Sequence, residues 1–224
     1  MKLKSYEEKI DSLMQEGYDL IEKGKQIEGC DKWLEAWEII KRNTPENVTT
    51  LEKIDNILSG MLQCVHNWCQ DLEMELHNAG IDDKKYFHKL IEFCQDFCKI
   101  FCDEDDEVIV PNMKRAEANA YFELGEMRKG DEKFEGILKE HPEYIWGYIG
   151  WGDQYCMRRE DRHNNYKKAE MFYIKALEKI AELGLTEDLD TVYERLQDLY
   201  TKTGKTDKIG QIIKYYDQKM SIWK

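Results

Sequence analysis

The sequence predicts an all-helical chain built from about five helix–turn–helix hairpins. Three observations indicate this fold: apolar residues recur at helical spacing, glycines interrupt them at regular places, and prolines are scarce. The chain has 224 residues, of which 42% are hydrophobic and only three are prolines. Because proline breaks helices, so low a number leaves room for long uninterrupted helices.

The last hairpin shows the repeated spacing most clearly. Steps of 3, 4, 4, 5, 4 and 3 positions separate Tyr193, Leu196, Tyr200, Gly204, Ile209, Ile213 and Tyr216. Steps of three and four place side chains on one face of a helix, and the glycine marks the turn. The final helix is expected to cap the array, with a buried stripe formed by Ile209, Ile212, Ile213, Tyr216, Met220 and Trp223.

The first hairpin keeps the same spacing from its turn glycine onward. Steps of 4, 3, 4, 5, 4 and 3 separate Leu13, Gly17, Leu20, Gly24, Gly29, Trp33 and Ala36. We expect Gly24 in the turn and Gly17 and Gly29 where two helices approach closely. Trp33 is the large side chain that fills the space left by these small residues.

The fourth hairpin has the same arrangement around a longer connection. Its first helix carries Tyr148, Trp151, Gly152 and Tyr155 on one face, and its second carries Ala169, Tyr173 and Ala176. These residues resemble the tetratricopeptide repeat family, whose pattern is a large residue, Leu-Gly and Tyr, followed by Ala, an aromatic residue and Ala. Pro142 stands where that family ends a second helix.

The resemblance implies a right-handed superhelical solenoid that binds a partner along its concave face. Residues 143–153 also resemble bacterial repeat proteins that sometimes end in a zinc-binding SEC-C tail. The chain has no Cys-x-Cys sequence and no such tail, so we carry no zinc function over from those proteins.

The remaining segments follow the pattern less closely. Residues 116–128 and 131–141 are interpreted as a shortened hairpin around Lys129-Gly130, and residues 50–78 and 83–102 as two long helices joined at Ala79-Gly80-Ile81. The prediction is therefore one domain over 1–224, with hairpins at roughly 5–43, 48–103, 111–142, 143–183 and 186–224.

The charge balance limits the classes of partner. The chain has 33 basic and 46 acidic residues and a net charge of −13. Nucleic-acid binding needs clustered lysine and arginine, so this composition argues against it and equally against anionic membranes. The negative charge is compatible with a basic protein partner. It is equally compatible with a role in keeping the protein soluble.

The sequence carries no signal for the membrane or for secretion. No apolar run approaches the roughly 18 residues of a membrane span, and the first eight residues lack the apolar core of a signal peptide. We therefore expect a cytoplasmic protein whose seven cysteines stay reduced.

Three cysteines recur at every fourth residue of one predicted helix: Cys94, Cys98 and Cys102. Thiolates on one face could bind a soft metal, with His66, Cys69 and His77 completing the site. The spacing is not that of a common zinc site, and phenylalanines alternate with the cysteines. We predict a structural, metal-free packing seam, and a metal- or redox-responsive regulator is the alternative function.

Catalytic motifs are missing from the sequence. It contains no nucleophile elbow, no phosphate-binding glycine loop and no metalloprotease signature. The acidic run at residues 103–107 lacks the glycine of a calcium-binding loop, and it is predicted to be a solvated loop. We expect neither an enzyme nor a cofactor.

The predicted function is a scaffold that binds a protein or peptide along its concave face. By the family pattern, the candidate contact residues are Tyr18, Arg115, Asn119, Phe122, Trp146, Asp153 and Met157. Arg115 and Asn119 resemble part of a clamp that holds a peptide carboxylate. Trp146 lies five residues before Trp151, about 140° around the helix from it, and is expected to lie off the packed face.

Overall fold

A computed structural model describes residues 5–104, 108–156, 164–185 and 188–220. Within these residues the chain forms eleven helices and no β-strand, which confirms the predicted all-helical class. The helices belong to two compact units, Met1–Gly130 and Asp131–Lys224. No described helix is long and apolar enough to cross a membrane.

Unit 1 contains six helices and the start of a seventh. They are α1 Ser5–Glu22, α2 Gln26–Asn43, α3 Leu51–Ile57, α4 Val65–Asp82, α5 Lys85–Ile100, α6 Ile109–Glu123 and α7 Met127–Glu140. Large aromatic side chains fill its centre, including the fully buried Trp33, Trp37 and Trp68. Trp33 and Trp68 meet edge to face, with ring centroids 6.2 Å apart.

The α1–α2 hairpin has the predicted glycine arrangement. Gly24 lies in the turn with a φ of 72°, a conformation that glycine adopts without a steric penalty. At Gly17, a Cβ atom would lie 2.0 Å from Nε1 of Trp33. This close approach lets the Trp33 indole donate a hydrogen bond of 2.9 Å to the carbonyl oxygen of Met14.

The predicted long helix over residues 50–78 is wrong. The segment forms two helices, α3 and α4, and Ser59 and Gly60 lie in the connection between them. The start of α4 is held by Asp55, whose carboxylate accepts a hydrogen bond of 2.6 Å from the backbone N–H of Val65. A polar side chain from α3 thus satisfies the free N-terminal donors of the next helix.

The turn predicted at Lys129-Gly130 is also misplaced. The connection between α6 and α7 lies at Gly125, which has a φ of 80°. Gly130 instead lies inside α7, where a Cβ atom would come within 2.4 Å of the Phe122 ring. Gly130 therefore permits close contact with α6, as Gly17 does between α1 and α2.

Unit 2 contains α7 from Asp131 onward and four further helices: α8 Ile145–Cys156, α9 Tyr166–Leu183, α10 Leu189–Lys202 and α11 Asp207–Met220. Gly152 lies against Tyr173, where a Cβ atom would approach the ring to 2.4 Å. Gly204 occupies the predicted turn with a φ of 69°. Gly204 thus has the turn role that the spacing predicted, and the contact of Gly152 with Tyr173 is an addition from the structure.

A network that we call the junction clamp occurs twice in unit 2. In the first clamp, the Asp131 carboxylate on α7 accepts hydrogen bonds from the Tyr155 hydroxyl at 2.7 Å and the Lys168 ammonium at 2.8 Å. In the second, Glu170 on α9 accepts them from Tyr200 at 2.9 Å and Lys208 at 3.2 Å. Each acid follows a small residue, Gly130 or Ala169, so the clamps are in the same register.

The last helix, α11, buries less than predicted. Tyr216 is buried, whereas Ile209, Ile212 and Ile213 are half-buried. The Met220 side chain and Trp223 lie outside the described part of the chain. The apolar face of α11 is therefore only partly covered by its neighbours in unit 2.

Candidate binding surfaces

The first predicted contact residue, Tyr18, lies in a packed position. Its ring meets Trp33 edge-on, with centroids 4.8 Å apart, and its hydroxyl donates to Asp71 at 2.5 Å. Gln63 donates a further hydrogen bond to the same hydroxyl. Burial and the nearby carboxylate raise the pKa of Tyr18. Tyr18 thus connects α1 with α4 and offers a partner only part of its surface.

Arg115 and Asn119 lie one turn apart on α6, and both are half-buried. The Arg115 guanidinium donates to Oδ1 of Asn112 at 3.4 Å. It also lies near Glu73 on α4, where its charge lowers the pKa of a carboxyl that burial raises. Because the charge of Arg115 already acts on the Glu73 carboxyl of the same chain, the predicted clamp for a peptide carboxylate would compete with Glu73.

The inclusion of Phe122 among the contact residues is wrong. Its side chain is fully buried, with 0% exposure, and its ring lies over Gly130. The physical reason is the position of the turn. With the turn at Gly125, residue 122 faces the second helix of the hairpin instead of a partner.

The contact residues predicted on and after α8 have three different outcomes. Trp146 is 39% exposed, as expected for a residue off the packed face. Asp153 is half-buried and accepts hydrogen bonds from the Tyr173 hydroxyl at 2.7 Å and Nε of Arg195 at 3.0 Å. It therefore joins α8 to α9 and α10. Met157 lies outside the described residues.

A groove on the surface of unit 2, between α7 and α9, offers a second candidate surface. Its volume is about 490 Å³, and the apolar side chains that line it are Leu138, Tyr148, Trp151 and Phe172. Trp151 stacks on Phe172 with ring centroids 4.0 Å apart and on Phe134 at 5.7 Å. Its indole N–H donates to Asp131 at 2.6 Å, so stacking and a hydrogen bond together position Trp151 in the floor of the groove.

Charged side chains of both signs form the walls of this groove. The walls carry Glu135, Lys139, Lys175, Glu178, Lys179 and Glu182. Lys179 and Glu182 pair at 2.8 Å, and the ammonium of Lys175 lies 5.8 Å from the Phe172 ring centroid. An apolar floor between long charged side chains can accept an amphipathic segment whose own charges are of mixed sign.

Comparison with known proteins assigns no family to the chain. A scan of protein-family models, a search of curated proteins and a search of solved structures each found no match to the chain. The resemblance to tetratricopeptide repeats therefore stays a prediction.

The predicted cysteine seam is only partly formed. Cys94 is buried and Cys98 is half-buried, but Cys102 is exposed because α5 ends at Ile100. Burial raises the pKa of the Cys94 thiol well above its usual value. The described residues contain no group of three His, Cys, Asp or Glu side chains placed to hold a metal ion.

The acidic run after α5 has a local structural role. Glu104 accepts a hydrogen bond of 2.6 Å from the backbone N–H of Leu51, at the start of α3. The prediction of a solvated loop also covers residues 105–107, which lie outside the described part.

Two features of the surface were not predicted from the sequence. Glu73 is a partly buried acid whose neighbours become apparent only once α4 and α6 are placed side by side. The groove of unit 2 draws its residues from three helices, so no single stretch of sequence could indicate it. The alternation of lysine and glutamate at Lys175, Glu178, Lys179 and Glu182 was visible, but it is also typical of an ordinary solvated helix face.

Proposed function

We propose that this chain is a helical scaffold that binds a segment of another protein. The groove between α7 and α9 is the observation that supports this proposal best. It combines an aromatic floor, Trp151 stacked on Phe172, with flexible charged walls. Aromatic anchors in a pocket surrounded by polar residues are the usual anatomy of a protein-binding site.

The predicted concave face remains a competing location for the same function. Trp146 is its best contact residue because its side chain is 39% exposed. Lys175, on the wall of the groove, is also exposed. The two residues lie on different helices of unit 2, α8 and α9, so they can be probed separately.

Site-specific photo-crosslinking distinguishes the two surfaces. A photoreactive phenylalanine is introduced at position 175, at position 146, or at the exposed control position 214 on α11. We expect discrete protein adducts from position 175 in cells that express the protein, and none from position 214. Adducts from position 146 alone would move the site to the predicted concave face. The absence of adducts at both positions would refute the proposal.

Charge reversal provides a second, independent test of the groove. Lys139→Glu with Lys175→Glu changes two exposed wall residues, and Lys202→Glu with Lys214→Glu makes the same change of net charge elsewhere in unit 2. We expect the adduct from a photoreactive residue at position 178 to disappear only in the first variant. Equal loss in both variants would mean that overall charge, and not the groove, governs binding.

A further inference from the structure

A second groove, in unit 1, runs between α2 and α5. Its volume is about 450 Å³, and its apolar floor is formed by Leu34, Trp37 and Phe93. Trp37 meets Phe93 edge to face with ring centroids 5.0 Å apart. The lining residues of α2 extend from Asp31 to Lys41. Ten residues of helix rise about 15 Å, so the groove is as long as three helical turns.

Ion pairs join α2 to α5 near both ends of this groove. At one end Lys89 of α5 pairs with Asp31 of α2 at 2.7 Å. At the other end Lys41 of α2 pairs with Asp96 of α5 at 2.5 Å and with Glu38 at 2.6 Å. Both lysines that line the groove are therefore already engaged with carboxylates.

The charge that remains on the rim is negative. The groove is lined by five acids, Asp31, Glu35, Glu38, Glu92 and Asp96, and by only two lysines. Glu35 pairs with Lys9 at 3.1 Å, where both side chains are about half exposed, and such exposed pairs are weak. Glu35, Glu38 and Glu92 are all exposed. Glu38 also pairs with Lys41 and lies 3.9 Å from Arg42, so a cationic partner would exchange with these weak exposed pairs.

The floor also contains a polar group that has no partner among the described residues, the indole N–H of Trp37. Trp37 is 1% exposed, and among the described residues no acceptor binds its indole N–H. Buried donors normally find an acceptor. One of the residues that line the groove, Trp37, therefore carries a donor that no described residue satisfies.

We propose that the α2–α5 groove binds a basic amphipathic segment of another protein. Its apolar residues would contact chiefly Leu34, since Trp37 and Phe93 beneath it are each 1% exposed. Its lysines or arginines would face Glu35, Glu38 and Glu92. Charge complementarity selects the cationic class of partner. The apolar floor favours a peptide segment, which carries apolar side chains, over a small polyamine. The site lies in unit 1 and does not depend on the groove of unit 2.

The test measures binding of a defined probe to the full chain by fluorescence anisotropy. The probe is a labelled 14-residue peptide of leucine and lysine, with leucines spaced to form one helical face. A scrambled peptide of the same composition and unlabelled spermine are the comparison ligands. The rim variant is Glu35→Gln/Glu38→Gln/Glu92→Gln. The matched control removes three other exposed acids of unit 1, as Glu22→Gln/Glu46→Gln/Glu52→Gln.

We expect the rim variant to bind the amphipathic peptide about tenfold more weakly, since three charge pairs are lost, and the control to bind it unchanged. Hydrogen exchange should show protection of α2 and α5 on binding. The proposal is overturned if the amphipathic peptide does not bind, or if the rim variant and the control variant weaken its binding equally. It is also overturned if the scrambled peptide binds equally well or if spermine displaces the peptide completely. Protection from hydrogen exchange on helices other than α2 and α5 would likewise overturn it. Failure of the unit 2 crosslinking would leave these outcomes unaffected.

Discussion

Glu73 makes a specific prediction about how stability depends on pH. Burial raises the pKa of its carboxyl from 4.5 to about 7, although the nearby Arg115 charge acts in the opposite direction. Between these two values the folded chain holds a proton that the unfolded chain has released. The free energy of unfolding therefore falls as pH rises through this window, and the loss is complete above about pH 7.

The size of the effect follows from the shift. One pKa unit corresponds to about 1.4 kcal/mol, so a rise from 4.5 to about 7 corresponds to about 3 kcal/mol against the ionised form. Because the side chain is only partly buried, solvent screening reduces this value, and we expect about 2 kcal/mol. The Glu73→Gln variant cannot ionise and should escape this loss.

Urea unfolding followed by circular dichroism, at pH values from 5 to 8, measures the difference between the variant and the parent protein. We expect Glu73→Gln to be more stable by about 2 kcal/mol at pH 8, with the advantage disappearing toward pH 5. Glu194→Gln, at an exposed position on α10, is the control and should change little at any pH. A Glu73→Gln variant that is no more stable than the parent at pH 8 would refute the reasoning.

Three further predictions concern packing and cysteine reactivity. Gly17→Ala should lower the free energy of unfolding by about 3 kcal/mol, measured by thermal or urea unfolding, because the new Cβ would meet the Trp33 indole. A Cβ at Gly136 would have nothing within 4 Å, so Gly136→Ala should stabilise the helix by about 0.5 kcal/mol. Trp151→Ala should lower the free energy of unfolding by about 3 kcal/mol, because its stacking and its hydrogen bond are lost. Trp146→Ala should leave the melting temperature nearly unchanged. Similar losses of stability in both variants would contradict the assignment of the packed face. Brief alkylation of the native protein, read by mass spectrometry, should label the exposed Cys102 well before Cys94, and equal rates would contradict the burial of Cys94.

The turn and contact glycines could be predicted from the sequence because they act through their nearest neighbours. Gly24 and Gly204 have positive φ at turns located by the five-residue step. Gly17 is small opposite Trp33. Each of these roles depends on two helices joined by one short connection, so the information lies within a single hairpin.

The spacing of glycines in the sequence indicates the correct position of the turn that was predicted at Lys129-Gly130. The five-residue step from Gly24 to Gly29 recurs from Gly125 to Gly130. In both hairpins the first glycine adopts a positive φ and the second permits close contact with the neighbouring helix. This shared step indicates a turn at Gly125, and with that turn Phe122 faces α7.

Features that depend on packing between hairpins could not be predicted in this way. The break between α3 and α4 is held by Asp55 and Val65, which lie ten positions apart, and only the Ser59-Gly60 pair hinted at it. The floor of the unit 1 groove joins Trp37 to Phe93, 56 positions later. Such pairs meet only because of the relative placement of whole helices, which helical spacing does not determine.

The two junction clamps have a consequence for how such a chain could change in length. Tyr155 and Lys168, in the α8–α9 hairpin, donate hydrogen bonds to Asp131 of the preceding helix. The α8–α9 hairpin also carries Glu170, which accepts hydrogen bonds from Tyr200 and Lys208 of the next hairpin. Residues 143–183 thus present the donors at one junction and the acceptor at the other. In a tandem duplication of this segment, the first copy's carboxylate would meet the second copy's tyrosine and lysine. The chain could therefore grow by one hairpin through a single genetic event, without a newly evolved polar contact at the added junction.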